Sequence, residues 1–126
     1  MRLVDLRGVT HTGADIVRDQ IAQNQHYATD GIAFRQVNLL EDPLPKADLV
    51  FCRDCLVHFS FEDVFRALHN IAASGSDFLL TTTFPGGRAT HRSRPARWQP
   101  LNVSRAVLVS PPITLITEGC TEADGQ

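Results

Sequence analysis

No unbroken apolar run in this sequence is longer than four residues, as at Leu49–Cys52, whereas a helix needs roughly 18 to 20 to span a bilayer. The opening, Met1-Arg2-Leu3-Val4-Asp5, carries no apolar signal core. The expectation is a cytoplasmic chain with no membrane span and no secretory signal. Cysteine is scarce as well. The three present, Cys52, Cys55 and Cys120, cannot all pair with one another, and without an export signal reduced thiols are the simplest reading. The sequon Asn102-Val103-Ser104 is moot for the same reason. The glycines fall at 8, 13, 31, 75, 86, 87, 119 and 125, and no two are separated by a single residue. With no G-x-G, a self-sufficient dinucleotide fingerprint is excluded. Repeats and low-complexity tracts are absent too.

What is present is an ordinary globular composition: 126 residues, 43% hydrophobic and 21% charged, with a formal net charge of −2. A single domain over 1–126 is expected, and a chain of this size buries roughly two thirds of its unfolded surface without needing disulfides or metal. Charge is unevenly placed. Residues 1–63 hold six basic and ten acidic side chains, 64–117 hold six and one, and 118–126 hold three acids alone. A net acidic chain without a long basic face argues against a dedicated nucleic-acid binder, whose affinity would rest on many phosphate contacts.

Short apolar runs alternate with helical stretches, which is the pattern of an α/β domain. A first strand ends around Thr12–Ala14, and Asp15–Ala22 follows as a helix with Val17 and Ile21 one turn apart. Ile32–Val37 alternates apolar and polar residues after the turn Asp30-Gly31, as a strand does. Asp42-Pro43-Leu44-Pro45 is a loop, because proline lacks an amide donor and forces its predecessor into extended backbone. Asp48–Cys52 reads as a central strand buried on both faces. Ser60 is a good N-cap for the next helix, whose apolar stripe is Phe61, Val64, Phe65, Leu68, Ile71 and Ala72. Asp77–Phe84 is rich in β-branched and aromatic residues and predicts a strand. Residues 85–100 read as a long loop and Thr114–Thr117 as a final strand, giving five strands and two helices in the order β, α, β, β, α, β, β.

In an open α/β sheet ligands bind at the carboxyl ends of the strands, and four places qualify. Asp15, after Gly13-Ala14, either accepts both hydroxyls of a ribose or caps the helix. Asn38, followed by Leu39-Leu40, either accepts from an adenine amino group or forms a turn. Cys52-Arg53-Asp54-Cys55-Leu56-Val57-His58 is the densest group of functional side chains. Cys52, Cys55, His58 and Cys120 have the donor types of a zinc or thiol module. A redox dithiol is less expected, because such a pair normally opens a helix, and here the helix starts later, at Ser60. Arg53, Asp54 and His58 stand as polar residues at the catalytic edge of a strand, His58 being either a general base or a packing residue. The fourth place is Arg88, His91, Arg92, Arg94 and Arg97, a grip for an anionic substrate or a solvated loop.

Several segments taken together resemble a bacterial class I S-adenosylmethionine-dependent methyltransferase. They are Val4-Asp5-Leu6, Gly13-Ala14-Asp15-Ile16-Val17, Asp42 through Val50, Cys52-Arg53-Asp54, Leu56-Val57-His58, Thr81-Thr82-Thr83-Phe84 and Trp98-Gln99-Pro100-Leu101-Asn102. The resemblance runs from about Asp5 to Glu122 and is silent on the acceptor. It implies a Rossmann-like, mostly parallel sheet with flanking helices and S-adenosylmethionine as cofactor. Asp15 and Ile16 would border the ribose, Asn38 and Leu39 the adenine, and Arg53, Asp54 and His58 the methyl group and its acceptor. The family more often has Asp where this chain has Asn38. It also has a first strand and glycine-rich turn before the Asp15 segment and a further strand at its far end. The resemblance therefore implies a truncated form of the fold. Loss of that first strand, which is central in the family's sheet, would leave sheet edges open to self-association. The rival expectation is a non-catalytic fragment or binding module completed by another chain.

Overall fold

Parallel strands cannot be joined by a tight hairpin, so each parallel pair requires a crossover, and the sequence supplies two of them. The computed structural model describes residues 7–84, 101–103 and 114–116. The chain divides into two compact units, Met1–Pro43 and Leu44–Gln126. Both are α/β.

In the first unit β1 (His11–Asp15) pairs in parallel with β2 (Ile32–Gln36), and α1 (Arg18–Asn24) with a 3-10 turn (Gln25–Tyr27) lies between them in sequence. Gly13 sits opposite Phe34 in the register. A Cβ at Gly13 would come within 2.7 Å of the Phe34 ring, so the absence of a side chain lets that ring lie against the β1 backbone. Helix α1 begins three residues later than the sequence predicts. The reason is local: the Asp15 carboxylate accepts from the Val17 amide at 2.8 Å, holding 15–17 in a turn before helical geometry starts. Ile21 is the one buried apolar side chain among the described residues of this unit.

In the second unit β3 (Leu49–Cys52) pairs in parallel with β4 (Phe78–Thr81) across α2 (Phe61–Ala73). A 3-10 turn, Leu56–His58, precedes that helix. Ser60 caps α2: its hydroxyl accepts from the Asp63 amide at 3.1 Å and donates to the Asp63 carboxylate at 2.8 Å. Val64, Ala67 and Ile71 form the buried stripe. Gly75, at φ +71°, ends the helix in left-handed backbone. The Ser76 hydroxyl then accepts from the Ala47 amide at 3.0 Å, bringing the chain back beside β3. Leu56, Val57, Leu101 and Val103 complete the core of this unit together with Cys52.

Several expectations need correcting. The described strands number four, and they form two separate two-stranded sheets rather than one. Strand β3 is not covered on both faces. Leu49 and Phe51 face the same way as their register partners Phe78 and Leu80, and this side is open, with Phe51 64% and Phe78 59% exposed. An unbroken apolar run marks a strand with apolar residues on both faces; it does not supply the layer that covers each. Strand β4 stops at Thr81, because from Thr82 onward the chain bonds to loop segments instead of continuing the ladder. Residues 114–116 are not strand, and Thr117 lies outside the described residues. So do the 85–100 segment with Arg88, His91, Arg92, Arg94 and Arg97, the Val4–Leu6 segment, and Cys120. No helix among the described residues is long and apolar enough to cross a membrane.

Candidate functional site

The carboxyl edge of the β1–β2 pair carries the first group of expected site residues. Asp15 closes β1, and its carbonyl accepts from the Val37 amide at 2.9 Å, which sets the start of the Asn38 turn beside it. One Asp15 carboxylate oxygen, Oδ1, is engaged by the Val17 amide. The other, Oδ2, has no hydrogen-bond partner among the described residues, and the side chain is exposed. Ile16 is exposed, and its carbonyl accepts from the Gln36 side-chain amide at 3.1 Å. This Gln36 tie was not foreseen, since strand alternation marks position 36 only as polar.

Asn38 has a different environment. Its amide oxygen accepts from the Leu40 amide at 3.1 Å, its side-chain nitrogen donates to Glu41 at 3.2 Å, and its own backbone amide donates to Asp42 at 2.7 Å. Its carbonyl accepts from the amides of Glu41 and Asp42 at 3.1 and 2.9 Å. Asn38 thus organises the 38–42 turn with both ends of its side chain, the turn-forming alternative given above. Leu39 is half-buried within it.

The second group lies in the other unit, on the turn leaving β3. Asp54 adopts φ +52°, a left-handed conformation rare for a residue with a side chain. It is held there by its amide, which donates to Thr82 Oγ1 at 2.9 Å. Arg53 Nε stands 3.4 Å from the Asp54 carboxylate in a partly exposed ion pair, an arrangement that contributes well under about 1 kcal/mol. The His58 amide donates to the Cys55 carbonyl at 3.1 Å, closing the 3-10 turn. The His58 ring is exposed and makes no hydrogen bond or ion pair among the described residues, so it faces solvent rather than a neighbour. The structure therefore brings Arg53 and Asp54 together and leaves His58 a turn away.

Beside them are the thiols. Cys52 is buried and Cys55 half-buried, both free. The neighbouring Cys55 thiol, and then burial, push the Cys52 thiol above its ordinary range. Among the described residues no cluster of three or more His, Cys, Asp or Glu side chains is arranged to hold a metal ion. Cys52, Cys55 and His58 are therefore not gathered as ligands. The threonines that close and follow β4 were quoted above only for the resemblance, and their bonding is what sequence reasoning missed. Thr81 Oγ1 donates to the Cys52 carbonyl at 2.8 Å, Thr82 Oγ1 accepts from Asp54, and Thr83 Oγ1 accepts from the Val103 amide at 3.1 Å. Their signal was a run of three hydroxyl residues where an apolar strand should have continued.

No family model, curated protein or solved structure matches this chain.

Proposed function

We propose that the chain carries the core of a Rossmann-like class I methyltransferase fold and takes part in methyl transfer from S-adenosylmethionine to an acceptor. The observation that carries this reading is Asp15: an exposed carboxylate at the carboxyl end of a parallel strand, leading into the crossover helix, with Oδ2 free of partners among the described residues. A carboxylate in that place suits a ribose diol. The division of the strands into β1–β2 and β3–β4 gives further support, because it falls between the segments of Asp15 and Asp48, where the family has its central strand. Asn38 does not fit its expected part as it stands, since both ends of its side chain are already bonded within the turn.

When bound, the cofactor supplies a methyl group activated on a sulfonium, and its transfer is an in-line displacement governed by positioning. On this reading Asp15 accepts the ribose hydroxyls and fixes the adenosine end. Arg53 and Asp54 border the acceptor. The solvent-facing His58 ring accepts a proton where the acceptor must lose one.

The test is a thermal melt of the purified chain with and without S-adenosylhomocysteine. Ligand at 100 times its dissociation constant adds about 2.7 kcal/mol to the stability of the folded protein, and Asp15→Ala is expected to abolish that shift. An equal shift in wild type and variant removes Asp15 from the site, and no shift in either removes the reading.

The open apolar side of β3–β4, with Leu49, Phe51, Phe78 and Leu80, favours a second reading: a non-catalytic module completed by another chain. Ligand binding without methyl transfer to any acceptor, from a species heavier than one chain in light scattering, would select it.

A further inference from the structure

Asp30-Gly31 forms the tip of a turn whose flanks, Thr29 and Ile32, bridge each other directly. The Thr29 amide donates to the Ile32 carbonyl at 2.9 Å, and the Ile32 amide donates to the Thr29 carbonyl at 3.1 Å. The Gly31 carbonyl accepts from the His11 amide at 2.8 Å, so the same turn also holds the first residue of β1. Together these bonds latch the amino end of the β1–β2 ladder, which starts at the His11–Ile32 pair. The Asp30-Gly31 pair itself is less committed. The Asp30 side chain is exposed and makes no hydrogen bond or ion pair among the described residues. The Gly31 amide reaches only the Thr29 hydroxyl among them, at 3.4 Å, a separation at which a donor is weakly held. Nor does the backbone require glycine at this position. Its φ lies outside the left-handed region that Gly8 and Gly75 occupy, and a Cβ built on it would stand 3.6 Å from the Val9 carbonyl oxygen, an ordinary contact. What glycine provides here is access, because residue 31 has no side chain to shield its nitrogen from the carboxyl group before it.

We propose that Asp30-Gly31 is a site of spontaneous isomerisation, where Asp30 closes a succinimide on the Gly31 nitrogen and reopens as isoaspartate, and that the lengthened main chain unlatches the amino end of β1–β2. The reacting atoms are separated only by Cβ, Cα and the carbonyl carbon of Asp30, so rotation within that residue brings them together. The Gly31 nitrogen attacks the carboxyl carbon of the neutral Asp30 side chain. A C–N bond forms, and the carboxyl hydroxyl leaves as water with the N–H proton. Water then adds to one of the two ring carbonyls and breaks its bond to nitrogen. Cleavage at the side-chain carbonyl restores aspartate, whereas cleavage at the main-chain carbonyl leaves the chain running through Cβ and Cγ as isoaspartate. One water is lost and one gained, with no oxidant or further reactant. The isoaspartyl main chain is one carbon longer, and a turn closed by the reciprocal Thr29 and Ile32 bonds has a fixed span, so the extra atom pulls Ile32 and Gly31 from their partners. The first unit has little else to hold the ladder, with Ile21 its one buried apolar residue among those described. This site lies at the opposite end of β1 from Asp15 and does not rest on the methyl-transfer reading.

The experiment uses the full chain carrying Asp124→Glu, which removes the other Asp-Gly pair of the sequence. It is stored warm at neutral pH in water enriched in heavy oxygen and sampled over weeks. Peptide mapping is expected to find one heavy oxygen in the peptide that carries residue 30, and electron-transfer fragmentation to find an isoaspartyl linkage there in a share that grows with time. Gly31→Ala in the same background, which the space beside Val9 admits, is expected to convert severalfold more slowly. In hydrogen exchange the isoaspartyl form should lose protection severalfold at 11–15 and 32–36 relative to fresh protein. A folded chain that takes up no heavy oxygen at residue 30 overturns the proposal; uptake by the urea-unfolded chain alone would mean that the turn holds the two groups apart. Equal rates in the parent and in Gly31→Ala overturn it too, and an isoaspartyl form that keeps full protection in β1 and β2 overturns the latch. The Asp124→Glu protein decides both the conversion and the latch if Gly31→Ala does not fold.

Discussion

Both units contain two parallel strands with a helix between them in sequence, yet they bury very different amounts of side chain. The described part of the first unit has Ile21 as its one buried apolar residue, while that of the second has Cys52, Leu56, Val57, Val64, Ala67, Ile71, Leu101 and Val103. Their helices differ in the same sense. Helix α2 runs 13 residues from a serine cap that bonds twice to Asp63, whereas α1 runs 7 residues from Val17, which has no capping side chain. A common strand–helix–strand order is therefore not a common basis of stability. The second unit rests on an apolar core and a capped helix. The first rests on its β1–β2 ladder and on short polar ties such as Asp15 to Val17 and Gln36 to Ile16.

The largest test of this contrast is truncation of the buried residues. Leu56→Ala is expected to destabilise by about 3 kcal/mol, and Ile21→Ala by roughly half as much, because Ile21 has fewer buried neighbours to leave around a cavity. Hydrogen exchange resolved by segment reads both. An Ile21→Ala loss as large as that of Leu56→Ala breaks the comparison. Next in size is Gly13→Ala. The added methyl group would meet the Phe34 ring at 2.7 Å, and overpacking of this kind costs about 1–3 kcal/mol. Denaturant melts should show Phe34→Leu recovering part of that loss in the double variant, whereas independent additive effects would deny the contact. The smallest is Ser60→Ala, expected to cost about 1 kcal/mol through loss of the α2 cap. Circular dichroism melts check it, and a neutral result would mean that the buried stripe holds α2 without its cap.

How much of this was legible in the sequence follows from how local each signal is. Helix α2 was readable because Ser60 and the spacing of Val64 and Ile71 act within a few turns of one another. Strand β2 was readable to within a residue from alternation and the Asp30-Gly31 turn, and the end of β1 to within a few residues. The environment of β3 was not, since an apolar run records what a strand can bury and not whether another layer arrives. Among the site residues, Asp15 and Asn38 fall at strand ends as expected, but the commitment of the Asn38 amide to Leu40 and Glu41 depends on turn geometry that several sequences share. The left-handed backbone of Asp54 was hidden for a related reason: its partner, Thr82, lies 28 residues away.

The threonine run at the end of β4 bears on the order in which the second unit is assembled. Thr81, Thr82 and Thr83 reach partners 29, 28 and 20 residues distant in the chain. The entropy of closing such loops must be met before any of these bonds can form. Helix α2, whose contacts are local, has no such requirement. The turn that carries Arg53, Asp54 and the two thiols therefore acquires its shape only once β4 has come alongside β3, which makes it one of the last parts of the unit to set.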